Sequence, residues 1–421
     1  MRSTSLSLAA VAALAVACGG EDPNNNNNAN NNNNTGLCLD ISGSESVDGL
    51  SIRRPEDAVD GCHGVAGANE EERLCQQKAP DLTCVGQMEP LGTPINVTFT
   101  GCVNSFGLEA QSDDLSVTVL REQVGGTTTD PGYDLAGAAG MQAEKTPGAL
   151  VGMDPDTGAI GHTRSKTVAR DVCFDLGHFS LEGVPTETRL VVRVTDQHVE
   201  KSRRQYVDTY QYNVVLRNDA IEDAAGAAVA DPATYCVGNP CFVHDDVNTV
   251  FETTFKTVAL TAGVSRIEGD DDLYDGTGQG HIAGELQDCT SEDTLRNAVV
   301  AVDTPVKKLA YFNVGYPPGV GNLEDPKVDQ SRSRTNADGL YAAIAADTQD
   351  GGQPVKIGAV ITRSVCGDDG VCMCKDGKTN AEWPGADTNE AKVEALGTRT
   401  IYVYPDSITI LTFDRNLYTA P

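Results

Sequence analysis

Ile95-Asn96-Val97-Thr98-Phe99-Thr100-Gly101 alternates apolar and polar side chains and ends on a glycine. With a side-chain period of two, Ile95, Val97 and Phe99 fall on one face of a strand while Asn96 and Thr98 face the other way. The same period recurs in Leu115, Val117 and Val119, in Leu190, Val192 and Val194, and in Tyr210, Tyr212, Val214 and Leu216. It returns in Ile282, Gly284 and Leu286, in Ala298, Val300 and Val302, in Val355, Ile357 and Ala359, and in the pairs Ile401, Val403 and Ile408, Ile410. The pattern is all-β. Helical signals are confined to Glu70–Lys78 behind Asn69, with acids in its first turn, and to the alanine-rich run Asp219–Ala230, stopped by Pro232.

Two stretches follow one plan. Val97-Thr98-Phe99-Thr100-Gly101 and then Leu115–Leu120 parallel His281-Ile282-Ala283-Gly284 and then Leu295–Val302; further on, Asp175-Leu176-Gly177-His178-Phe179 parallels Ala337-Asp338-Gly339-Leu340-Tyr341. In both copies one glycine interrupts the first strand and another opens a strand at the tip of a turn, where positive φ costs glycine little. Their spacing differs through a Gly-, Thr- and Asp-rich insertion, 125–166, in the first copy.

The second copy, through Ile282-Ala283-Gly284, Leu295, Asn297-Ala298-Val299-Val300 and Thr335-Asn336-Ala337-Asp338-Gly339-Leu340-Tyr341, resembles the carboxypeptidase regulatory-like domains. These are transthyretin-like β-sandwiches common in secreted bacterial proteins. The resemblance implies a fold and no chemistry, because its motifs are turn signatures. The expected architecture is two tandem transthyretin-like or Ig-like sandwiches: a first over 92–264, an acidic linker over 265–280 and a second over 281–421. Residues 37–91 are expected as a cysteine-rich segment packed on the first sandwich.

The N-terminal end is read as an address. Arg2 precedes an uncharged apolar run, Leu6–Ala17, too short to span a bilayer. Leu14-Ala15-Val16-Ala17-Cys18-Gly19 resembles a bacterial lipoprotein signal, which implies cleavage after residue 17 and acylation of Cys18; Ala15-Val16-Ala17 also fits an ordinary A-x-A cleavage site. In the lipoprotein reading Gly19 gives no inner-membrane retention cue, so the outer membrane is the expected address. Within 18–36 lie ten asparagines, Asn24–Asn34 broken by Ala29, a composition that reads as a disordered tether.

The formal charge is −30, from 31 basic and 61 acidic residues. Phosphate backbones and anionic headgroups repel such a chain, so nucleic-acid binding is excluded and membrane contact is assigned to the lipid alone. Thirteen cysteines minus Cys18 leave an even number suited to disulfides in an oxidising compartment. They form three blocks: Cys38, Cys62, Cys75 and Cys84; Cys102, Cys173, Cys236 and Cys241; Cys289, Cys366, Cys372 and Cys374. Each block is expected to close on itself, with Cys236 bridged to Cys241 across Val237-Gly238-Asn239-Pro240, Cys102 to Cys173, and Cys289 to Cys372 or Cys374.

Catalytic constellations are missing from the sequence. His63, His162, His178, His198, His244 and His281 fall in no H-E-x-x-H or other two-ligand helical spacing, and there is no G-x-S-x-G elbow or glycine-rich phosphate loop. No cofactor is expected. Asp270, Asp272 and Asp275, in an acidic loop just before the second copy, are weak calcium candidates whose spacing fails the EF-hand, and Asp154 with Asp156 form another acidic loop in the first insertion. With aromatics at 5% and Trp383 the single tryptophan, a sugar-binding platform has little to build on. The expected function is therefore a non-catalytic envelope lipoprotein, a structural or protein-interaction module for an unknown envelope protein or surface ligand. The alternative is a calcium- or carbohydrate-dependent binding module.

Overall fold

Strands form where the alternating runs lie. The computed structural model describes residues 43–54, 76–78, 81–87, 91–106, 115–122, 133–134, 177–196, 205–264, 278–290, 294–295, 298–312, 327–330, 332–335, 338–348, 352–364, 371–373 and 391–418. The first half contains β1 (Gly43–Val47), β2 (Leu50–Arg54), β3 (Gln76–Lys78), β4 (Asn96–Phe106), β5 (Leu115–Glu122), β6 (Tyr133–Asp134), β7 (Gly177–Pro185), β8 (Arg189–Asp196), β9 (Tyr206–Val215), β10 (Phe242–His244) and β11 (Val247–Phe251). After the helix Glu252–Thr261 come β12 (Gly280–Glu285), β13 (Ala298–Val302), β14 (Val306–Phe312), β15 (Val328–Asp329), β16 (Leu340–Ala346), β17 (Gln353–Ser364), β18 (Val371–Met373), β19 (Ala391–Val403) and β20 (Ser407–Leu411).

The protein is all-β, and its main sheet does not stop at the middle of the chain. That sheet runs β10, β4, β11, β9, β20, β12, β16, β14, β15, with β7 on β4, and with β8, β5 and β6 leading off β9. β13, β17 and β19 make a separate sheet. One core gathers Val97, Phe99, Val117, Phe179 and Leu190, and another gathers Ile282, Val300, Tyr341, Ile357, Leu396 and Ile401. Strand β20 joins the halves, parallel to β9 on one edge and to β12 on the other. Residues Gly36–Pro421 accordingly form one compact unit.

The two copies share a register as well as a sequence plan. Gly101 of β4 stands opposite Phe179 of β7, and Gly284 of β12 stands opposite Tyr341 of β16. Each glycine lies under a backbone carbonyl: a Cβ on Gly101 would sit 1.9 Å from the Asp245 oxygen, and one on Gly284 would sit 1.9 Å from the Leu411 oxygen. Close backbone approach explains these glycines. The Thr335–Tyr341 motif is structural in the same sense. The Thr335 hydroxyl accepts from the Ala298 N–H at 2.9 Å and donates to the Leu295 carbonyl at 2.7 Å, fastening the loop to the start of β13. Gly339 takes φ 66, the turn geometry expected of it, whereas Gly177 lies within β7 and is not among the positive-φ residues.

Several expectations are corrected. Tyr210 and Tyr212 enter the second core, while Val214 and Leu216 belong to the first, so β9 does not keep one face. The cause is Asn213, at φ 66, beside a register shift where β8 skips a residue of β9; such a bulge re-aims every side chain beyond it. Gln76–Lys78 is strand β3, paired with β18, rather than the end of a helix. Asp219–Ala230 is not an α-helix either; only its start falls in a short 3-10 turn, Asn218–Ala220. The Asp223 carboxylate accepts from the Ala225 and Ala227 N–H groups at 2.8 and 2.9 Å, and this local turn competes with helical bonding. The longest described helix, Glu252–Thr261, is rich in threonine, and its modest propensity leaves little helical signal in the sequence.

The N-terminal segment packs on the second half, not the first. Val47, Leu50 and Ile52 form a cluster with Val299 of β13 and Val360 of β17. Cys84 is bridged to Cys289, with Cα atoms 5.8 Å apart across a sequence separation of 205, so Cys289 does not close within its own block. Paired turns prepare that bridge: Asp81 accepts from the Thr83 N–H, Asp288 accepts from the Thr290 N–H, and the Cys289 N–H donates to the Asp81 carbonyl at 2.8 Å. Spacing along the sequence cannot reveal so distant a partner. Cys236 and Cys241 are bridged across their turn, Cα atoms 5.7 Å apart. Cys102 is disulfide-bonded too, and its expected partner Cys173 lies outside the described residues.

The shared glycines lead to a direct test. Gly101→Ala and Gly284→Ala each force a methyl into a carbonyl, and each is expected to lower stability by about 2 to 3 kcal/mol in urea unfolding. Gly238→Ala, where a Cβ meets nothing within 4 Å, is expected to stay within about 0.5 kcal/mol of the parent.

Candidate functional site

The fused sheet is wider than the helix that covers it. Helix Glu252–Thr261 buries Phe255 and Ala259 in a third apolar layer with Val207, Val250, Phe312 and Ile344. Beyond the helix the sheet face opens into a cleft of about 200 Å³. Its floor is made by the small residues of two paired strands, Ala283 and Gly284 of β12 and Ala342 of β16. Phe106 and Phe312 line it as well, their rings edge to face with centroids 6.4 Å apart. Ile408 and Ile410 of β20 complete the apolar lining.

Polar groups meet the cleft from two sides. His281 is buried and stacked on Phe255, ring centroids 3.9 Å apart and planes 11° apart. The Ala345 N–H donates to its Nδ1 at 3.1 Å, which assigns the proton of the neutral ring to Nε2. Burial pushes the imidazole down from 6.5 to about 4, and protonating Nδ1 would also set two donors face to face. The ring therefore stays neutral and helps seat the helix. Glu285, two strand pairs further along the same face of β12, is half-buried and takes a hydrogen bond from the Gln287 side chain at 3.2 Å. Burial raises its carboxyl, the Gln287 hydrogen bond opposes that rise, and the nearby Asp338 adds a smaller push upward. No basic side chain among the described residues pairs with it. Asn248 and Thr412 line the cleft too.

Buried hydroxyls and a carboxylate hold the frame. Tyr341 Oη donates to the Leu411 carbonyl at 2.6 Å, beside Gly284, and its burial raises the phenol well above the usual tyrosine range. Asp414, just after β20, accepts from the Asn416 N–H at 2.7 Å and from Asn213 Nδ2 at 2.8 Å. Burial lifts its carboxyl to about 6 despite these donors. Arg217 links the same corner to Glu187 at 3.3 Å.

Few of the residues singled out in the sequence meet here. Cys18, Cys38, Cys62, Cys75, Cys366 and Cys374 lie outside the described residues, as do Asp154, Asp156, Asp270, Asp272, Asp275 and Trp383. Cys372 stands in β18 opposite Gln77 of β3. Among the described residues, no group of three or more histidine, cysteine or acidic side chains is placed to hold a metal. His178 contacts Thr100 Oγ1 at 2.9 Å, and His244 lies 3.7 Å from Asp246, both away from the cleft. Of the three described histidines, His281 is the one that lines it. The one legible signal was small residues, Ala283-Gly284 and Ala342, at positions where strands of a filled core usually carry larger ones.

No protein-family model matches the chain, and no curated protein matches it. Among solved structures, the shaft pilin spaA from Lactobacillus rhamnosus GG aligns with 76% of this chain and 97% of its own at 10% identity and a TM-score of 0.14. A single-site variant of that pilin aligns over the same shares at the same identity, with a TM-score of 0.13.

His281 sets a pH dependence with a defined sign. Its folded pKa lies below its unfolded one, so the unfolded chain binds more protons between about pH 6.5 and pH 4. The stability it contributes is present above that window and lost as pH falls through it. Replacing it by Phe keeps the stacking and removes the titration. The stability difference between parent and His281→Phe, read from urea unfolding, is expected to shrink by about 2 kcal/mol between pH 7 and pH 4.5.

Proposed function

We propose that this chain is an exported, non-catalytic structural or protein-interaction module of the cell envelope, held to a membrane by a lipid on Cys18. The observation that carries the reading is the Cys84–Cys289 bridge, which ties the N-terminal segment to the second half of the fold across 205 residues. Bridges of this kind persist outside the cytoplasm. The export signal and the even number of cysteines left after Cys18 support the same compartment. Among the described residues no helix is long and apolar enough to cross a membrane, so the reading assigns membrane attachment to the lipid. The asparagine-rich stretch is proposed as the spacer between anchor and fold, and the outer membrane as the address.

The second half is proposed to be a carboxypeptidase regulatory-like sandwich. In support, the residues that carry the resemblance, Gly284, Leu295, Ala298, Thr335, Gly339 and Tyr341, converge on one corner through hydrogen bonds and close backbone approach. A continuous sheet and a long-range bridge suit a module that must keep its shape while a partner holds it.

Three experiments test the proposal. Cys18→Ser is expected to move the protein from the membrane pellet to the soluble fraction and to abolish labelling by radioactive palmitate; continued pelleting would point to retention through a partner instead. Peptide mapping of protein recovered from cells without reduction is expected to yield the linked Cys84 and Cys289 peptides. Replacing both cysteines with alanine is expected to lower stability by about 5 kcal/mol in the loop-entropy account. Recovery of the wild-type protein with both thiols free would remove the oxidising compartment from the reading.

A further inference from the structure

The cleft beside helix Glu252–Thr261 combines two features that together specify a kind of ligand. One is an apolar space of about 200 Å³, floored by Ala283, Gly284 and Ala342. A closed apolar cavity of about 150 Å³ already accepts benzene, so a ring-sized body fits. The other is Glu285, a half-buried carboxylate in the lining of that space with only a neutral amide, Gln287, bonded to it. A carboxylate withdrawn from water is costly unless a cation joins it, and the described residues provide none. The neighbouring groups sharpen the choice. Asp338 adds a second negative charge near Glu285, His281 is buried and neutral, and Asn248 and Thr412 offer uncharged hydrogen-bonding groups. The chain as a whole carries a formal charge of −30, which raises the local concentration of cations and repels anions.

We propose that this cleft binds small primary amines with an apolar, ring-sized body, the ammonium set against the Glu285 carboxylate and the body against Ala283, Ala342 and the rings of Phe106 and Phe312. The ammonium supplies the charge that Glu285 lacks and can donate further hydrogen bonds to Thr412 and Asn248 oxygens. The apolar body covers surface that the helix leaves open. An ammonium near the aromatic walls gains from their π faces as well. An anionic ligand of the same shape would meet Glu285 and Asp338 with like charge and is excluded. This site is independent of how the protein is attached or exported.

The probes are phenethylamine, phenethyl alcohol and hydrocinnamate, which present the same ring with a cationic, a neutral and an anionic end. Binding to the purified full chain is followed by calorimetry and by the methyl resonances of labelled alanine, which report Ala283 and Ala342 directly. Phenethylamine is expected to bind at least about tenfold more tightly than phenethyl alcohol, since a charge-assisted hydrogen bond replaces a neutral one, and hydrocinnamate is expected not to bind. Glu285→Gln keeps the acceptor for Gln287 and is expected to bring the amine down to the affinity of the alcohol, with the alcohol unchanged. Ala283→Met fills the floor and is expected to abolish both. Equal affinity of the wild-type chain for amine and alcohol would overturn the proposal, and so would amine binding that survives Ala283→Met, which would assign it to the acidic surface at large. Absence of saturable methyl shifts with phenethylamine in the wild-type chain would overturn it without any variant having to fold.

Discussion

Strand β20, five residues long, hydrogen-bonds in parallel to β9 from the first half and to β12 from the second. Most of what is particular to this molecule follows from that placement. Because both neighbours are parallel to it, no short turn could have linked it to either, and it arrives only after the chain has built β19. Its last carbonyl, on Leu411, receives the Tyr341 hydroxyl and presses on Gly284, so the second core is closed by the strand that joins it to the first. Just beyond, Asp414 gathers donors from Asn416 and Asn213, and the Tyr418 hydroxyl returns to the Phe413 carbonyl at 3.0 Å. The C-terminal end thus acts as the rivet of the sheet.

What was legible in the sequence is what depends on neighbouring residues. Alternation placed Val97, Phe99, Val117 and Leu190 in a core because a strand's faces are fixed by its own period. The paired glycines and the Thr335–Tyr341 turn were visible for the same reason, and their shared registers against Phe179 and Tyr341 give the duplication a structural meaning. What was hidden depends on residues far apart. Nothing in the spacing of Cys84 and Cys289 distinguishes them from other pairs, and the Asp81 and Asp288 turns that bring them together are common loop chemistry until they face one another. The face switch at Asn213 was hidden as well, since a bulge is a property of two strands and only one was in view.

The candidate site was nearly invisible beforehand. His281 and Glu285 lie on one strand, and in the sequence His281 is a lone histidine in no two-ligand spacing. They became a site only through β20, which sets Ile408 and Ile410 beside β12, and through a helix too polar in sequence to be expected.

The cleft itself can be derived from the fusion. Side by side, β11, β9, β20, β12, β16 and β14 present a face about 24 Å across at the usual strand spacing. The ten residues of helix Glu252–Thr261 span only about 15 Å, and their apolar face holds little beyond Phe255, Val258 and Ala259. Had the two sandwiches remained separate, a helix of that length could have covered the exposed face of either. Joined by β20, they expose more apolar sheet than one helix can bury, and the uncovered part falls where Ala283 and Ala342 leave the floor low and Glu285 supplies a charge. An opening of this kind needs no separate design, because it arises wherever a sheet is extended without extending its cover. What chemistry it can do is then set by the few side chains already at its rim.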